Sequence, residues 1–246
     1  MIPVYSILRK TQKELHKYLL ERLTEYYPTT VISTPSYLMA EGDIPIMLVA
    51  HLDTVFPEDT RSYMQIFYDQ NQKVMWSPDG LGTDDRAGVV LILRILEAGY
   101  RPHILFTHDE EMGGLGALDV TTDLYKLNWD IRYMIQLDRM GYNDCVFYSC
   151  DNKEFIAYIE SFGFEYSIGS FSDISVLMPV WKIAGVNLSV GYIDEHSETE
   201  HWHVDWANET YNKVLAMLSA PPEKPFKYVF RHDNIWGGYY NWKEIM

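Results

Sequence analysis

The stretch RPHILFTHDEE, residues 101–111, passes from a short apolar run directly into His-Asp-Glu-Glu. A short apolar run that stops in this way is typical of a strand covered on both faces of a sheet. Glu110 and Glu111 repel each other, and no lysine or arginine lies within several residues to offset their charge. A bound divalent cation would supply the missing positive charge.

Other apolar runs of the chain also stop at residues that can bind metals. They are IPIMLVAHLDTV (44–55) with His51 and Asp53, RYMIQLDRMG (132–141) with Asp138, and IAGVNLSVGY (183–192), which is followed by His196. A further strand is predicted at CVFYSC (145–150). Segments with helical spacing alternate with these runs, at 7–27, 86–100, 152–164 and 204–220. This alternation predicts an α/β domain with a largely parallel sheet.

The polar residues at the strand ends are expected to converge, because ligands of open α/β sheets bind at the carboxyl ends of the strands. Asp84 and Asp85, in GLGTDDRAG, come just before the predicted helix at 86 and join the set. Histidines and carboxylates without cysteine suit catalytic zinc, manganese or cobalt. One glutamate of the pair would then bind metal while the other handles protons.

Each of these signals is weak by itself. A lone His-x-Asp is usually a surface or core feature, two aspartates before a helix often only cap it, and adjacent glutamates usually lie on a solvated face. A single aspartate at a strand end is usually a turn residue. Their occurrence in order, each beside a buried strand or helix, is what favours a metal site.

Composition limits the classes of partner. The chain has 246 residues, 47% of them hydrophobic, and a formal net charge of −15. This charge repels nucleic acid and anionic membrane surfaces. We expect no membrane span, no secretion signal and, with two cysteines, no disulfide framework, which favours the cytoplasm. The length allows one domain or two, and we expect a single domain, 1–246, with an aromatic C-terminal tail at about 221–246.

Five motifs, taken in order, carry a family resemblance: HLDTV (51–55), SPDGLGTDDRAG (77–88), THDEEMGG (107–114), QLDRMG (136–141) and EHSETE (195–200). Together they resemble the co-catalytic di-zinc metallopeptidases of clan MH, and they are most similar to the peptidase T, carboxypeptidase and glutamyl-aminopeptidase branches. The resemblance implies a three-layer α/β/α fold with a mixed, largely parallel central sheet, of the zinc-exopeptidase or phosphorylase/hydrolase-like type.

The resemblance also implies a role for each site residue. His51 and Asp138 would bind one metal, Glu111 and His196 the other, and Asp84 would bridge both through a cis peptide bond to Asp85. Glu110 would be the general base, Asp53 would orient His51, and Asp173 in GSFSDIS would support the substrate site. The cofactors would be two divalent ions, most simply Zn²⁺, with Co²⁺ or Mn²⁺ as alternatives.

Two features depart from the family pattern. Asp138 and His196 are only 58 residues apart (196 − 138), so the lid or dimerisation domain that many relatives insert there is expected to be absent. The segment HSETEHWH also offers His201 and His203 as alternative last ligands. His103 and Asp109 are expected to be structural. His108 lies close enough to the metals to matter, and a structural role for it is the equal alternative.

The predicted function is that of a zinc-dependent exopeptidase of the aminopeptidase type, acting on small peptides. Hydrolysis of N-acyl or N-carbamoyl amino acids is an alternative, and a catalytically silent binding relative is another. A homo-oligomer is also expected, because clan relatives often oligomerise and the tail would suit a contact surface. Its packing on its own domain is the competing interpretation. The tail residues concerned are Trp236, Tyr239, Tyr240 and Trp242.

Overall fold

The computed structural model of the chain describes residues 2–231, which form two β-sheets and eight helices within that range. The helices are α1 Val4–Leu8, α2 Gln12–Tyr26, α3 Glu58–Arg61, α4 Thr83–Glu97, α5 Leu115–Asp123, α6 Lys153–Glu160, α7 Asp173–Trp181 and α8 Val204–Ser219. The strands are β1 Val31–Ser33, β2 Tyr37–Ala40, β3 Ile44–His51, β4 Phe67–Asp69, β5 Val74–Trp76, β6 Pro102–Thr107, β7 Tyr133–Arg139, β8 Asp144–Val146, β9 Glu165–Ser167, β10 Gly185–Ser189, β11 Tyr192–Ile193 and β12 His201–His203.

The larger sheet has eight strands in the order β1-β2-β6-β3-β7-β10-β8-β9. Its four central strands, β6, β3, β7 and β10, are parallel to one another, and β2 and β8 flank them in antiparallel pairing. The register aligns His51 with Thr107 and Val49 with Gln136. The carboxyl ends of the central strands therefore open on the same edge.

Helices cover both faces of this sheet. On one face α4 packs on β3 and β7 and contacts α8, while on the other α7 packs on β7 and β10 and contacts α5. Every residue of β6 is buried, as its apolar sequence predicts for a strand covered on two faces. The predicted three-layer α/β/α fold with a mixed, largely parallel sheet is confirmed.

The first helical segment differs from the prediction of one helix over 7–27. The structure has two helices there, and Thr11 begins the second one. The Thr11 side chain accepts a hydrogen bond from the Glu14 backbone, and the Glu14 side chain accepts one from the Thr11 backbone. This capping box satisfies amide groups at the helix start and therefore favours a new helix at this point.

The smaller sheet was not predicted. It contains β11, β12, β5 and β4 in that order, all antiparallel. Its strands have two or three residues each, too few to show an alternating pattern in the sequence. The predicted run 183–192 is accordingly divided between β10 in the large sheet and the start of β11 in the small one.

The segment after α8 packs back onto the large sheet as far as residue 231. Phe226 lies in an aromatic cluster with Tyr133, Phe155 and Tyr158. Backbone bridges join Lys227 to Ile183, and Phe230 to Cys150. The rest of the predicted aromatic tail, including Trp236 and Trp242, lies outside the described residues.

Two expectations from composition can be compared with the described part of the chain. Cys145 and Cys150 are both free and buried. No helix between residues 2 and 231 combines the length and the apolar character that a membrane span requires.

Gly88 lets α4 approach β7 closely. A Cβ placed there would lie 2.1 Å from the Leu137 carbonyl oxygen and 2.5 Å from Asp85 Oδ1. We expect Gly88→Ala to lower the free energy of unfolding by about 3 kcal/mol, because the backbone of β7 cannot yield. The control is Gly99→Ala, where a Cβ meets no atom within 4 Å and only the positive φ of 95° costs about 1 kcal/mol. Equal losses in urea denaturation would contradict this account.

Candidate active site

The carboxyl edge of the parallel strands brings the predicted ligands together. His51 is the last residue of β3, Asp138 lies near the end of β7, and Asp84 occupies a non-helical kink at the start of α4. Glu111 follows β6, and His196 lies in the loop after β11. Asp84 and Asp85 are joined by the cis peptide bond that the resemblance implied.

One half of the cluster is built around His51. Its Nε2 lies 3.0 Å from Asp84 Oδ1 and 3.4 Å from Asp138 Oδ1. The imidazole is almost completely buried. Burial alone would lower the pKa of His51, but the neighbouring carboxylates of Asp53 and Asp138 raise it well above its ordinary value.

The other half is built around His196, which is more exposed. Its Nε2 lies 2.8 Å from Glu111 Oε1 and 3.2 Å from Asp84 Oδ2. The hydrogen bond to Asp84 raises the pKa of His196 to about 9. Asp84 therefore presents one carboxylate oxygen to each histidine, which is the arrangement that a carboxylate shared between two metal ions requires.

Asp53 connects the end of β3 to the loop that follows β6. Its carboxylate oxygens lie 3.1 Å from His51 Nδ1 and accept hydrogen bonds from the backbone N–H groups of Glu110 and Glu111 at 3.1 and 2.9 Å. Burial would raise the pKa of Asp53, but His51 and these N–H donors outweigh it and lower the pKa to about 2. The carboxylate thus fixes the orientation of the His51 ring, as the partners of metal-binding histidines usually do.

Asp138 is supported by polar groups that sequence patterns did not identify. Its Oδ2 accepts hydrogen bonds from Gln136 Nε2 at 3.1 Å and from Ser172 Oγ at 3.0 Å, and its backbone carbonyl accepts one from the Tyr192 hydroxyl. Asn187 Oδ1 accepts from the Asp138 N–H. These partners come from β7, β10, β11 and the start of α7, so only the folded chain brings them together.

The kink that carries Asp84 is held by two buried acids. Glu200 accepts hydrogen bonds from the backbone N–H and the hydroxyl of Thr83, the latter at 2.5 Å. Asp85 accepts from the N–H groups of His51 and Gly88, at 3.2 and 3.0 Å. Burial raises the pKa of Glu200 to about 7. In the sequence, Glu200 stood out only as the last residue of the EHSETE motif (195–200).

Among the described residues, the paired glutamates lie in the pocket without a lysine or arginine partner. Burial, followed by the charges of nearby acids, raises the pKa of Glu110 to about 9 and that of Glu111 to about 7. Burial likewise raises the pKa of Asp138 to about 6. Between residues 2 and 231, no lysine or arginine forms an ion pair with any of these three acids.

This donor set fits divalent cations. Three groups each bring one donor atom per residue within 4.8 Å of one another, and the groups overlap: His51, Asp84 and Asp138; Asp84, Glu111 and His196; and His51, Glu110 and Glu111. Clustered carboxylates with raised pKa values, paired with histidines but with no lysine or arginine of the described residues, are expected of a site that binds cations. The oxygen and imidazole donors, without cysteine, match catalytic zinc and its neighbours in the first transition series.

The other residues that the sequence analysis singled out do not belong to the three overlapping groups, and they have contacts of their own. His201 Nδ1 lies 2.9 Å from the Thr199 carbonyl oxygen, and His203 stacks on Trp206. His108 lies 2.8 Å from His16 Nδ1. Asp109 accepts from Gln12 Nε2, and His103 lies between the Gly42 N–H and the Asp130 carbonyl. Asp173 is buried and accepts from the Thr107 hydroxyl, while its neighbours Gly169, Ser170 and Phe171 line the pocket.

A pocket of about 280 Å³ opens over this cluster. Its floor consists of Asp84, Glu110, Glu111, Asp138 and His196, and its walls include Met140, Tyr148, Phe171, Asn187, Tyr192 and Arg139. The segment from Asp138 to His196 contains β8, α6, β9, α7 and β10, which continue the main layers of the fold. No inserted domain lies between these two residues.

Comparison by sequence identifies no protein family that matches the chain and no curated protein that matches it. By structure, the chain is similar to the aminopeptidase PepT of Bacillus cereus, with a TM-score of 0.64 and 15% identity over 87% of this chain and 96% of that one. A tripeptidase of Staphylococcus aureus gives a TM-score of 0.68 and 14% identity over 87% and 95%. The TET1 peptidase of Pyrococcus horikoshii gives 0.57 and 14% over 82% and 94%. At these identities the likeness establishes the fold.

Binding of Zn²⁺ to the metal-free protein is expected to release protons. Below their pKa values of about 9, 7 and 6, His196, Glu111 and Asp138 hold protons that a cation must displace. Zinc affinity should therefore fall as the pH is lowered from about 8 to about 6. Calorimetry at pH 7 in two buffers of different ionisation enthalpy measures the release, and heats that do not depend on the buffer would contradict it.

Proposed function

We propose that the protein is a metal-dependent exopeptidase of the aminopeptidase type, with residues 1–246 forming one catalytic domain. The observation that carries the proposal is the position of the Asp84 carboxylate, 3.0 Å from His51 Nε2 with one oxygen and 3.2 Å from His196 Nε2 with the other. Two ion sites that share one carboxylate are the signature of co-catalytic metal centres. The likeness in fold to an aminopeptidase and a tripeptidase supports a peptide as substrate.

In this proposal His51 and Asp138 would hold one ion, Glu111 and His196 would hold the second, and Asp84 would contribute to both. Zinc is the ion that this donor set favours, and Co²⁺ or Mn²⁺ would also fit it. The ions supply Lewis acidity, which polarises the scissile carbonyl and lowers the pKa of the attacking water.

Glu110 is the proposed general base. Its side chain is partly buried beside the ligands, and the Asp53 carboxylate fixes its backbone N–H. Glu110 would take a proton from the attacking water and later return it to the leaving amine. Burial raises the pKa of Glu110 in the metal-free protein, and the positive charge of bound cations would lower it again, so that the carboxylate can accept the proton.

Assembly and location are proposed on separate grounds. The TET1 peptidase of Pyrococcus horikoshii can assemble into a tetrahedron or a large octahedral shell, and we propose a homo-oligomer for this chain by analogy of fold. Two free, buried cysteines fit a reducing compartment such as the cytoplasm.

Metal content tests the proposed ligands. Protein purified without chelator and without a histidine tag is expected to contain about two equivalents of zinc, cobalt or manganese by elemental analysis. His51→Ala and Glu111→Ala should each lose metal, because each removes a donor of one ion. His201→Ala is the matched control, since this histidine comes from the same segment as His196 and bonds elsewhere. Failure of the wild-type chain to take up metal, even after incubation with zinc at neutral pH, would rule out the mechanism.

Glu110→Gln separates the base from the ligands. The variant should keep its metal and lose turnover of a small peptide by roughly 10²- to 10⁴-fold, because an amide cannot accept the proton. Glu198→Gln makes the same change at an exposed position of the loop that carries His196 and serves as the control. Near wild-type turnover by Glu110→Gln would show that another group is the base.

A further inference from the structure

We propose that Arg139 binds the free C-terminal carboxylate of the substrate, so that the enzyme prefers short peptides that end within the pocket. This inference rests on the proposed peptidase function and specifies its substrate class. Arg139 directly follows Asp138 at the end of β7 and lines the pocket above the acidic cluster. Among the described residues that line this pocket, it is the only lysine or arginine.

The guanidinium of Arg139 has N–H donors without acceptors among the described residues. Every other arginine between residues 2 and 231 donates at least one side-chain hydrogen bond to the protein. Within the same range, Arg139 donates none. Its Nε is buried without a hydrogen-bond partner, and its ion pair with Asp144 spans 3.6 Å between Nη2 and Oδ2. A buried N–H without a partner is unfavourable, so this group is expected to meet an acceptor when the pocket is filled.

Neutralisation of the site acids is the competing role for this arginine. Arg139 forms no ion pair with Asp84, Glu110, Glu111 or Asp138 within the described structure, so it does not offset their charge by direct contact. Its one acidic partner, Asp144, has a side chain that is 38% exposed and therefore well solvated. The arginine thus remains available to a ligand in the pocket.

The chemistry of arginine specifies the ligand. Its planar guanidinium presents N–H donors in a fork that matches the two oxygens of a carboxylate. The pocket volume of about 280 Å³ lies just below the usual range of ~300–1,000 Å³ for small-molecule sites, which favours a ligand as small as a dipeptide or tripeptide. Met140, Tyr148 and Phe171 supply apolar surface for the substrate side chains.

Binding to a variant that cannot turn over tests the proposal directly. In zinc-loaded Glu110→Gln protein, calorimetry should show that leucyl-alanine binds roughly 10- to 100-fold more tightly than leucyl-alaninamide, which lacks the carboxylate charge. Adding Arg139→Met should abolish this difference, and Arg139→Lys should restore part of it. Arg22→Met removes the same charge from α2 and is the matched control, in which the difference should persist.

The second measurement is steady-state kinetics, with Arg139→Met introduced into protein that retains Glu110. Arg139→Met should raise KM for leucyl-alanine by about the same factor with little change in kcat, because the contact forms in the ground state and in the transition state alike. A loss confined to kcat would assign the residue to catalysis and overturn the proposal.

The two proposals fail in different ways. Three results would each overturn the role of Arg139. The Glu110→Gln protein could bind leucyl-alanine and leucyl-alaninamide equally, or it could bind neither at millimolar concentration. The preference for leucyl-alanine could also persist after Arg139→Met. The peptidase function would stand if the wild-type protein still cleaved the peptides. Carboxylate-dependent binding that is lost in Arg139→Met, without turnover by the wild-type protein, would support the role of Arg139 and reject the peptidase function.

Discussion

The mutual repulsion of buried carboxylates at one edge of the sheet is the constraint on which the rest of the site depends. Asp84, Glu110, Glu111 and Asp138 lie around a single pocket, and the described structure pairs none of them with lysine or arginine. Burying unpaired charge is costly unless hydrogen bonds, protons or cations compensate for it. The pKa values of Glu110, Glu111 and Asp138 are raised for this reason, and a pair of bound divalent ions would stabilise their charged forms.

The fold meets this constraint through rigid surroundings. Four parallel strands deliver their last residues to one edge, and helices on both faces exclude water from the layer beneath. Asp53 ties the end of β3 to the loop after β6, and Glu200 ties the start of α4 to the loop after β11. The positions of the donor atoms are therefore set by the packing of the sheet and not by mobile side chains.

The same charge imbalance makes the contacts of Arg139 unusual. An arginine beside an acidic cluster would ordinarily form ion pairs with it, yet among the described residues the ion pair of Arg139 is with the partly exposed Asp144, at 3.6 Å. If metal ions neutralise the ligands, Arg139 is the one lysine or arginine that the described part of the chain places in the pocket for the anionic end of a substrate. Recognition of a carboxylate would then come from the catalytic layer itself, with no inserted domain between Asp138 and His196.

The alternation of strands and helices could be predicted from the sequence, and so could the residues that end each strand, because burial on two faces leaves an apolar run that stops abruptly. The break between α1 and α2 was also visible, in the capping pair Thr11 and Glu14, but the apolar spacing concealed it. Three features result from the packing of the layers: Asp84 faces both His51 and His196, Ser172 and Tyr192 hold Asp138, and the buried Nε of Arg139 has no hydrogen-bond partner among the described residues. These are distances between residues far apart in the chain, and local periodicity carries no information about them because they depend on how the layers pack.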